Sequence, residues 1–458
     1  MSATVPPLTS HRLIGQVAGP VYFPGDAGFD AEIAGFNRSV VHRPAVVVGA
    51  TSTADVVAAV RWAADHGVSV AVQATGHGAV TPAVDGVLIT TRRMAELAVD
   101  PVRRTARVGA GVTFRQVIEA AAPYGLAPLC GSSSGVGVVG YTLGGGLGLL
   151  ARRHGYAADH VRGLRIVTAD ARVLDVDALR EPELFWAVRG GHGNFGVVTS
   201  MEIELVPVST VYAGGIYFPG AAAADLLHAF RAWTRELPDE TTASIAIRRM
   251  PPLPQIPEPL RGQIVVHLRF VHLGGDEEGA RLLAPMRAVV PAVVDQVTRL
   301  PFTEVDAVYQ DPTDPMPAWH TGTLLTELTA QVVDRLLAVA GPQADVPLAV
   351  VELRHLGGAL SRPAVPPNAV PGRGAAFGLN VVAPLLPGLE EAVPAAGAAV
   401  IDAAGGAAAP GVLRNFAGRV RPERLLAGWA SADRERLSRV KSAYDPADTF
   451  RAGVAVAA

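Results

Sequence analysis

Three glycine-rich segments carry the residues best suited to bind a ligand through the backbone. The first, residues 73–80, reads Gln-Ala-Thr-Gly-His-Gly-Ala-Val and directly follows an apolar stretch. Glycines on both sides of His77 let the chain approach a ligand closely and expose N–H groups to a phosphate, while the imidazole lies at the ligand's edge. A glycine turn with an incidental histidine explains the same residues, and for this segment alone that simpler interpretation is favoured.

The second segment, residues 131–148, has glycine at eight of its positions. Such a stretch offers successive main-chain N–H donors and few side chains that would obstruct a large planar or anionic ligand. A flexible linker is the alternative interpretation. Linkers rarely carry regularly spaced apolar residues, however, and this segment contains Val136, Val138, Val139, Leu143 and Leu147. The pattern therefore favours a ligand-binding segment.

The third segment, residues 189–199, contains Gly190, Gly191, Gly193 and Gly196 and precedes a predicted strand over 200–206. Backbone access is again the common feature. None of the three segments has the lysine of a Walker motif or the glycine spacing of a Rossmann fingerprint. The segments therefore indicate a nucleotide-like or planar ligand bound in some other way.

Alternating strands and helices predict a mixed α/β region over residues 43–208 that positions these segments. A helix is expected over 52–66, with Thr51 or Ser52 as its N-cap and Gly67 as a left-handed C-cap, and a strand over 68–73. The strand leads directly into the first glycine segment. His77 would thus lie at the junction between a strand and a turn.

Residues 208–404 have a different pattern, in which strands carry polar residues at every second position. Three such strands are predicted over 244–248, 263–271 and 350–355. In the second of them the two-residue period places His267 and Arg269 on one face and apolar residues on the other. The apolar face is expected to pack against helices such as one over 277–294.

The C-terminal part of the chain begins with an alanine-rich segment, residues 395–410, which fits a helix with a following loop as well as it fits a linker. Residues 422–445 have helical periodicity, and Pro446 is a natural stop for that helix.

Composition excludes several classes of function. A net charge of −3 provides no basic field for nucleic acid or anionic membranes, and the most apolar stretch, residues 375–413, is broken by prolines and acidic residues. No signal peptide is recognisable at the N-terminus, and the single cysteine, Cys130, cannot form an internal disulfide, so we expect a cytoplasmic protein. At 458 residues the chain is long enough for two domains.

Taken in order, the three segments resemble the FAD-binding PCMH-type (vanillyl-alcohol-oxidase-like) flavoproteins, and specifically their berberine-bridge-enzyme-like oxidase branch. The resemblance covers residues 43–208 and resumes at 441–446, Lys-Ser-Ala-Tyr-Asp-Pro, with Phe450. It implies an α+β fold in which a two-lobed PCMH-type FAD-binding domain is joined to an antiparallel-sheet substrate domain backed by helices. The predicted divisions are an N-terminal part of the FAD domain over 1–207, a substrate domain over 208–404, and a C-terminal segment over 405–458 that returns to the FAD domain.

The resemblance also implies roles for individual residues. It makes His77 the covalent attachment point for the flavin C8α methyl group. Many relatives have a second attachment through a cysteine where this chain has Ser133, so we expect FAD with a single histidyl linkage and Cys130 as a small buried residue. The implied cofactor contacts are Gln73, Ala74, Thr75, Gly76, Gly78 and Ala79 at the pyrophosphate; Ser133, Gly137, Gly140, Thr142, Gly144, Gly145, Gly146 and Gly148 along the flavin; Gly193, Asn194, Gly196, Val197 and Val198 at the adenosine; and Tyr444 in the closing segment.

The chemistry implied by the family is hydride transfer from a substrate C–H bond to the flavin, assisted by a base and followed by reoxidation by dioxygen. Several relatives supply the base as a tyrosine after an asparagine on a late strand, where this chain has Asn415-Phe416. We therefore place catalysis on Glu352, Arg354 and Tyr141, and substrate binding on His267, Arg269, Asn380 and Phe416. A plain ion pair between Glu352 and Arg354 on a strand face is an equal alternative.

The sequence thus predicts an FAD-linked oxidase or dehydrogenase that acts on a small hydroxylated metabolite, as in natural-product tailoring, with dioxygen as acceptor and with no metal, nucleic acid or membrane partner. A redox-neutral flavin-dependent cyclase, or a catalytically degenerate flavin-binding protein, is the alternative that Phe416 favours. An NADPH-dependent reductase of related fold is the weaker third interpretation, because His77 would then have no evident purpose.

Overall fold

The computed structural model describes residues 13–451, which form three β-sheets and twelve α-helices. Within this range no helix is both long and apolar enough to cross a membrane. Most of the N-terminal segment in which no signal peptide is recognisable lies outside the described residues.

The first sheet lies closest to the N-terminus. Its strands and accompanying helices are β1 (Val21–Tyr22), α1 (Phe29–Ile33), β2 (Val46–Gly49), α2 (Thr53–His66), β3 (Val70–Gln73) and β4 (Val87–Thr90). The strand order is β1-β2-β4-β3, with β2, β4 and β3 parallel. Helix α2 begins where the Ser52 side chain accepts a hydrogen bond from the Asp55 N–H, and it ends at Gly67, whose φ is 63°. Of the two possible N-caps the structure has Ser52, and the predicted C-cap at Gly67 is confirmed.

The second sheet is antiparallel and has five strands. Its elements are β5 (Leu97–Asp100), β6 (Thr105–Gly109), α3 (Phe114–Ala121), α4 (Val138–Leu143), α5 (Ala151–His154), β7 (Val161–Val167), β8 (Val173–Asp177), α6 (Pro182–Gly191) and β9 (Val197–Glu204). The strand order is β5-β6-β9-β7-β8. Helices α3, α4 and α6 share its apolar core, in which Phe114 and Phe185 are fully buried.

The third sheet is the largest, with eight antiparallel strands. Its elements are β10 (Thr210–Pro219), α7 (Ala223–Trp233), β11 (Thr241–Arg249), β12 (Ile264–His272), α8 (Asp276–Arg287), β13 (Val294–Asp295), β14 (Thr298–Pro301), β15 (Ala318–Leu325), α9 (Ala330–Ala340), β16 (Val350–His355), β17 (Phe377–Pro384) and α10 (Ala392–Ala403). The strand order is β13-β10-β12-β11-β16-β17-β15, with β14 paired to β10 as well.

One face of this third sheet is apolar and packs against helices α7 to α10. Val266, Leu268 and Phe270 of β12 are fully buried in the same core as Phe230 of α7. The opposite face of β12 carries His267 and Arg269, so the predicted alternation is confirmed. A 3₁₀ segment, Phe302–Val308, lies between β14 and β15 and contacts β10 and β12.

Two predicted helices were drawn too long. The helix expected over 277–294 ends at Arg287, because the chain turns through Pro291 and Val294 then pairs with Tyr217 as a strand. The helix expected over 422–445 is two helices, α11 (Pro422–Leu426) and α12 (Ser431–Tyr444), with Gly428 in the break. The alanine-rich segment is helical as far as Ala403, the end of α10.

The C-terminal helices return to the first two sheets. In α12, Arg436 forms an ion pair with Glu183 of α6, and the Lys441 ammonium donates a hydrogen bond to the Asn194 carbonyl at 2.9 Å. Farther on, the Thr449 carbonyl accepts a hydrogen bond from Val70 of β3 at 2.9 Å. The strands of the first two sheets all precede residue 208, while the exact domain boundaries stay a prediction.

Candidate active site

His77 lies on the loop that follows β3. Its Nδ1 is 2.9 Å from the Thr75 hydroxyl, and its ring stacks on Phe36 with the centroids 3.8 Å apart. Burial lowers the pKa of His77 to about 4, so the imidazole is neutral at pH 7. With Nδ1 engaged by Thr75, Nε2 makes no hydrogen bond to any residue in the described range. A neutral ring nitrogen in this position has the character of a nucleophile.

The loop that carries His77 is anchored by hydrogen bonds of the Gln73 side chain. The side-chain oxygen of Gln73, Oε1, accepts a hydrogen bond from His42 Nε2 at 3.0 Å, and its side-chain nitrogen, Nε2, donates to the Ile33 carbonyl at 3.0 Å. The side chain of Gln73 therefore supports the loop. Gly76 has a φ of 76°, and a methyl group at this position would be 2.6 Å from the Cα of Gly35, so only glycine fits here.

The second glycine segment meets the first at His77. A methyl group built on Gly135 would be 3.9 Å from His77 Cε1, and one on Gly137 would be 3.4 Å from the Cβ of Ala74. Gly78 and Gly140 are exposed, and nothing lies within 4 Å of a methyl group added to either. The two segments thus adjoin each other and leave open backbone on which a large ligand can lie.

Two buried hydroxyl groups in α4 have no hydrogen-bond partner among residues 13–451. They belong to Tyr141 and Thr142. Leaving a buried hydroxyl unsatisfied costs roughly 1–3 kcal/mol, so these atoms fit a site whose ligand completes their hydrogen bonds. Burial raises the pKa of Tyr141 well above its ordinary value, which keeps the phenol a donor. The unpaired Thr142 hydroxyl and the open backbone at Gly78 and Gly140 therefore fit a bound FAD, and the Tyr141 hydroxyl remains for a second ligand.

The third glycine segment is tightly held. The Asn194 amide donates to the Gly191 carbonyl at 2.6 Å, and the Asn194 carbonyl accepts from Lys441. A methyl group on Gly196 would be 2.5 Å from the Val167 carbonyl oxygen. Because the Asn194 side chain is already bonded, this segment would contact a ligand through its backbone.

His192 and Tyr444 have clear local surroundings. His192 is half-buried beside Arg414, and burial together with that charge lowers its pKa to about 3. The Tyr444 hydroxyl donates to Glu181 at 2.5 Å, at the first turn of α6, whereas the third glycine segment lies at the other end of that helix. A contact between Tyr444 and a cofactor stays a prediction.

The predicted cofactor contacts differ in exposure. Those at least partly exposed are Ala74, Thr75, Gly76, Gly78, Ala79, Ser133, Gly140, Gly148, Gly193 and Tyr444. Those buried are Gln73, Gly137, Thr142, Gly144, Gly145, Gly146, Asn194, Gly196, Val197 and Val198. The exposed group includes His77's immediate neighbours, so the open side of the site is the side that carries the imidazole.

Glu352 is the centre of a charge cluster on the polar face of the third sheet. One of its carboxylate oxygens accepts from Arg269 Nη1 at 3.1 Å, and the other accepts from Arg354 Nε at 2.8 Å and from the Asn380 amide at 3.3 Å. Burial alone would raise the pKa of Glu352, but Arg354 and Arg269 outweigh it and hold the pKa below its ordinary value. Four of the predicted residues are thus brought together, and the ion pair expected as an alternative exists.

His267 continues this cluster under the same sheet face. Its Nδ1 accepts from Arg269 Nε at 2.9 Å and from Arg248 Nη1 at 3.2 Å, so its hydrogen must reside on Nε2. The ring stacks on Tyr217 with centroids 4.0 Å apart. Burial and the two arginines lower the pKa of His267 well below its ordinary value. His267 is therefore a neutral acceptor, enclosed by the sheet.

Arg354 lies between two aromatic rings. The centre of its guanidinium group is 4.9 Å from the Tyr309 ring and 4.8 Å from the Phe416 ring. Tyr309 directly follows the 3₁₀ segment Phe302–Val308, is buried, and bonds to the Ser244 hydroxyl at 3.2 Å. The charge of Arg354 also acts on the buried phenol of Tyr141. Arg354 thus lies where the third sheet faces α4.

The Asn415-Phe416 pair lies on a 3₁₀ turn, Arg414–Phe416, and not on a strand. The turn forms because Asn415 is tied to the second glycine segment: its side-chain oxygen accepts from Gly146 N at 3.0 Å and its amide donates to the Tyr141 carbonyl at 3.1 Å. Phe416 is thereby placed beside Arg354. It contributes a ring and no proton acceptor.

Cys130 is buried, and burial raises the pKa of its thiol to about 12. A thiol with such a pKa is a weak nucleophile at neutral pH. The neighbouring Ser133 is half-buried.

Three residues of the site were missed by the sequence reasoning. Arg248 had a detectable signal, because it follows Ser244 by four positions and so shares its strand face. Tyr309 and Arg414 had none, because their positions depend on contacts between distant segments. Arg414 is half-buried beside His192, and burial lowers its pKa to about 10.

Comparison with known proteins agrees with this geometry. Residues 44–177 match the FAD binding domain family. The (R)-6-hydroxynicotine oxidase of Paenarthrobacter nicotinovorans is 31% identical over 298 residues, 64% of this chain and 63% of that oxidase. The chain therefore contains an FAD binding domain and is similar to FAD-linked oxidases. The sequence alignment spans just under two thirds of that relative's own length.

Similarity to solved structures extends over nearly the whole chain. The crystal structure of 6-hydroxy-D-nicotine oxidase from Arthrobacter nicotinovorans superimposes with a TM-score of 0.83 and 26% identity, covering 96% of this chain and 98% of that one. A berberine-bridge-enzyme-like protein of Physcomitrella patens has a TM-score of 0.81 at 18% identity, covering 97% of both chains. The predicted PCMH-type α+β fold is confirmed.

Proposed function

We propose that this flavoprotein is an oxidase that removes a hydride from a small hydroxylated metabolite, holds FAD covalently through His77, and passes the electrons to dioxygen. The supporting observation is the position of His77. Its neutral, half-buried imidazole stands on an open glycine loop, next to Gly135 of the second glycine segment. That relatives bear the names of FAD-linked oxidoreductases and oxidases supports the same proposal.

The chain's own residues have separate tasks in this function. The backbone of residues 74–79, 137–148 and 193–198 would hold the cofactor, with Thr75 orienting His77 through Nδ1. Bound FAD would supply the two-electron acceptor for the hydride, and dioxygen would take up both electrons with two protons as hydrogen peroxide. The substrate's C–OH group becomes C=O in this reaction.

The attachment is tested by precipitating the holoprotein with acid and measuring flavin in the pellet. We expect the pellet to be yellow and the intact mass to exceed that of the polypeptide by one FAD less two hydrogen atoms, because the new N–C bond replaces an N–H and a C–H bond. In His77→Ala the flavin should stay in the supernatant. His228→Ala, which changes a partly exposed histidine on α7, is the matched control and should keep its flavin. Flavin that washes away from wild type and His77→Ala alike contradicts the attachment.

The redox activity is tested by hydrogen peroxide release during a screen of alcohols, sugars, phenols and hydroxy acids. An oxidase should release one peroxide for each substrate oxidised. A screen in which reduced flavin forms anaerobically but no peroxide appears in air would retain hydride transfer and exclude dioxygen as the acceptor.

A redox-neutral flavin-dependent reaction is the second candidate, and a specific observation favours it. Phe416 stands where relatives have a proton acceptor, and the carboxylate bonded to its neighbour Arg354, that of Glu352, is held by two arginines that lower its pKa. A carboxylate so stabilised is a weak base. A compound that is converted without bleaching the flavin under anaerobic conditions would establish this candidate over the oxidase.

A further inference from the structure

The polar face of the third sheet carries more positive than negative charge. Three guanidinium groups lie there, those of Arg248, Arg269 and Arg354. Against them stand the carboxylate of Glu352 and that of the half-buried Asp311, whose charge acts on Arg248 and Arg354. The cluster therefore has one positive charge in excess. An uncompensated charge is unfavourable where water is largely excluded, so the face is suited to one further anion.

The three arginines differ in how fully their donors are used. Arg269 has 4% of its side chain exposed, and its Nε and Nη1 donate to His267 and Glu352. Arg248 donates through Nη1 to His267 and to the Tyr309 carbonyl. Arg354 is different. Within residues 13–451 only its Nε is bonded, and 12% of its side chain is exposed.

The free donors of Arg354 form a fork. Nε is fixed by Glu352, and the rings of Tyr309 and Phe416 lie within cation–π distance of the guanidinium group. These contacts restrain the plane of the guanidinium and leave its two Nη atoms for another partner. A planar pair of N–H donors matches the two oxygens of a carboxylate.

The fork lies on the side of the sheet that faces the glycine segments. Phe416 is joined through Asn415 to Gly146 and to the Tyr141 backbone. The Tyr141 phenol is buried and has no hydrogen-bond partner in the described range. Burial raises its pKa, and the positive charge of Arg354 acts in the opposite direction. A donor fork and an unused O–H are thus available where the sheet meets the segments expected to line the flavin.

We propose that the substrate is a hydroxy acid whose carboxylate pairs with the Nη atoms of Arg354 and accepts a hydrogen bond from the Tyr141 hydroxyl. The inference rests on the proposed function for the position of the flavin. It assigns to Arg354 the task of substrate recognition and orientation, and it removes Glu352 from the proposed catalytic set, because that carboxylate balances the arginines. The hydroxyl-bearing carbon would then be presented toward the glycine segments.

The test measures binding to the purified holoprotein by isothermal titration calorimetry, so it does not depend on turnover. The probes are lactate, mandelate, 4-hydroxybenzoate and gluconate, each paired with its uncharged primary amide. We expect at least one acid to bind about 10- to 100-fold more tightly than its amide, since hydrogen bonds between charged groups are among the strongest. That preference should vanish in Arg354→Gln and be partly restored in Arg354→Lys, which keeps the charge without the fork.

A control variant separates recognition from general damage to the sheet. Arg249→Gln changes the arginine that follows Arg248 on β11. Its side chain bonds to carbonyl groups at the end of α9, so this variant should keep the preference for acids. Tyr141→Phe should weaken the binding of the acid and leave that of the amide unchanged.

The inference is overturned if acids and amides bind equally, if no acid of the panel binds, or if Arg354→Gln keeps the preference. These results are distinct from a failure of the proposed function. If peroxide is released from an amide or another uncharged alcohol, the proposed oxidase function is supported and the proposed carboxylate contact is wrong. If acids bind selectively but do not reduce the flavin, the proposed carboxylate contact is supported and the proposed oxidase function is wrong.

Discussion

Replacing Glu352 with glutamine should destabilise the protein by about 3 kcal/mol at pH 7. In the folded protein this buried carboxylate lies 3.1 Å from Arg269 Nη1 and 2.8 Å from Arg354 Nε. At an effective dielectric constant of about 20, each contact has a gross Coulomb energy of about 5–6 kcal/mol. Desolvation of the charges offsets most of that energy, and breaking a buried pair typically costs about 3–5 kcal/mol. Glutamine keeps one acceptor oxygen, which places the cost at the low end.

The loss should depend on pH with a definite sign. Burial opposes the charge on Glu352, yet Arg354 and Arg269 lower the folded-state pKa below the ordinary value of 4.5. A lowered carboxylate pKa contributes stability that is fully present above the unfolded-state pKa and is lost as pH falls through the folded-state value. The difference between wild type and Glu352→Gln should therefore be constant from pH 7 to about pH 5 and shrink below 4.5.

The assay is urea unfolding of the holoprotein, followed by far-ultraviolet circular dichroism at a series of pH values. Glu327→Gln, at an exposed position just after β15, is the control and should stay within about 0.5 kcal/mol of wild type. The double variant Glu352→Gln/Arg269→Gln should be less destabilised than the sum of its single changes, because it removes both charges of one pair. If Glu352→Gln is as stable as wild type at pH 7, the two ion pairs of Glu352 do not stabilise the folded protein.

Three further predictions concern other parts of the molecule. Gly76→Ala should lower covalent flavin incorporation several-fold, measured in acid-precipitated protein, because a side chain at φ 76° is strained by roughly 1–2 kcal/mol. Asn415→Ala should cost about 1–3 kcal/mol in urea unfolding, because it frees the Tyr141 carbonyl and a main-chain N–H at a part-buried position. Glu204 raises the pKa of His160 above 6.5 despite burial, so His160→Gln should lose stability below pH 6.5 and match wild type once pH exceeds the folded-state pKa.

Each of these has an outcome that contradicts it. Normal flavin loading in Gly76→Ala would show that the loop tolerates a side chain. If Asn415→Ala has the same unfolding midpoint as wild type, the hydrogen bonds of Asn415 to Gly146 and Tyr141 do not stabilise the fold. For His160→Gln, a stability difference that grows with rising pH would reverse the assigned sign.

The sequence predicted those parts of the fold whose signals lie in neighbouring residues. The caps of α2 at Ser52 and Gly67 are local, and so is the period of two that places strand β16 at Val350–His355. The helix drawn past Arg287 failed for a non-local reason: residues with helical periodicity there are taken up by pairing with Tyr217 on a distant strand. Local pattern could not reveal that competition.

The site divides in the same way. The three glycine segments are continuous in sequence, and so they were visible as segments. The polar cluster is assembled from four strands and a 3₁₀ turn, and the local pattern showed Glu352 and Arg354 only as neighbours on one strand. That Arg269 shares the same carboxylate depends on the order β12-β11-β16, which no single segment encodes. The position of Tyr309 depends on how the 3₁₀ segment Phe302–Val308, which directly precedes it, packs against the sheet.

The titration properties of this cluster argue for binding over proton transfer. Glu352 has a lowered pKa, and that of His267 lies well below its ordinary value. Burial raises the pKa of Tyr141 and of Tyr309. A general base works best when its pKa lies near the working pH, and these four groups all move away from neutrality. With the Phe416 ring beside Arg354, the arrangement is suited to holding an anion. The acceptor of the substrate's hydroxyl proton is then a group outside the cluster or water. The contribution of the cluster to the proposed function is therefore the orientation of the substrate by Arg354.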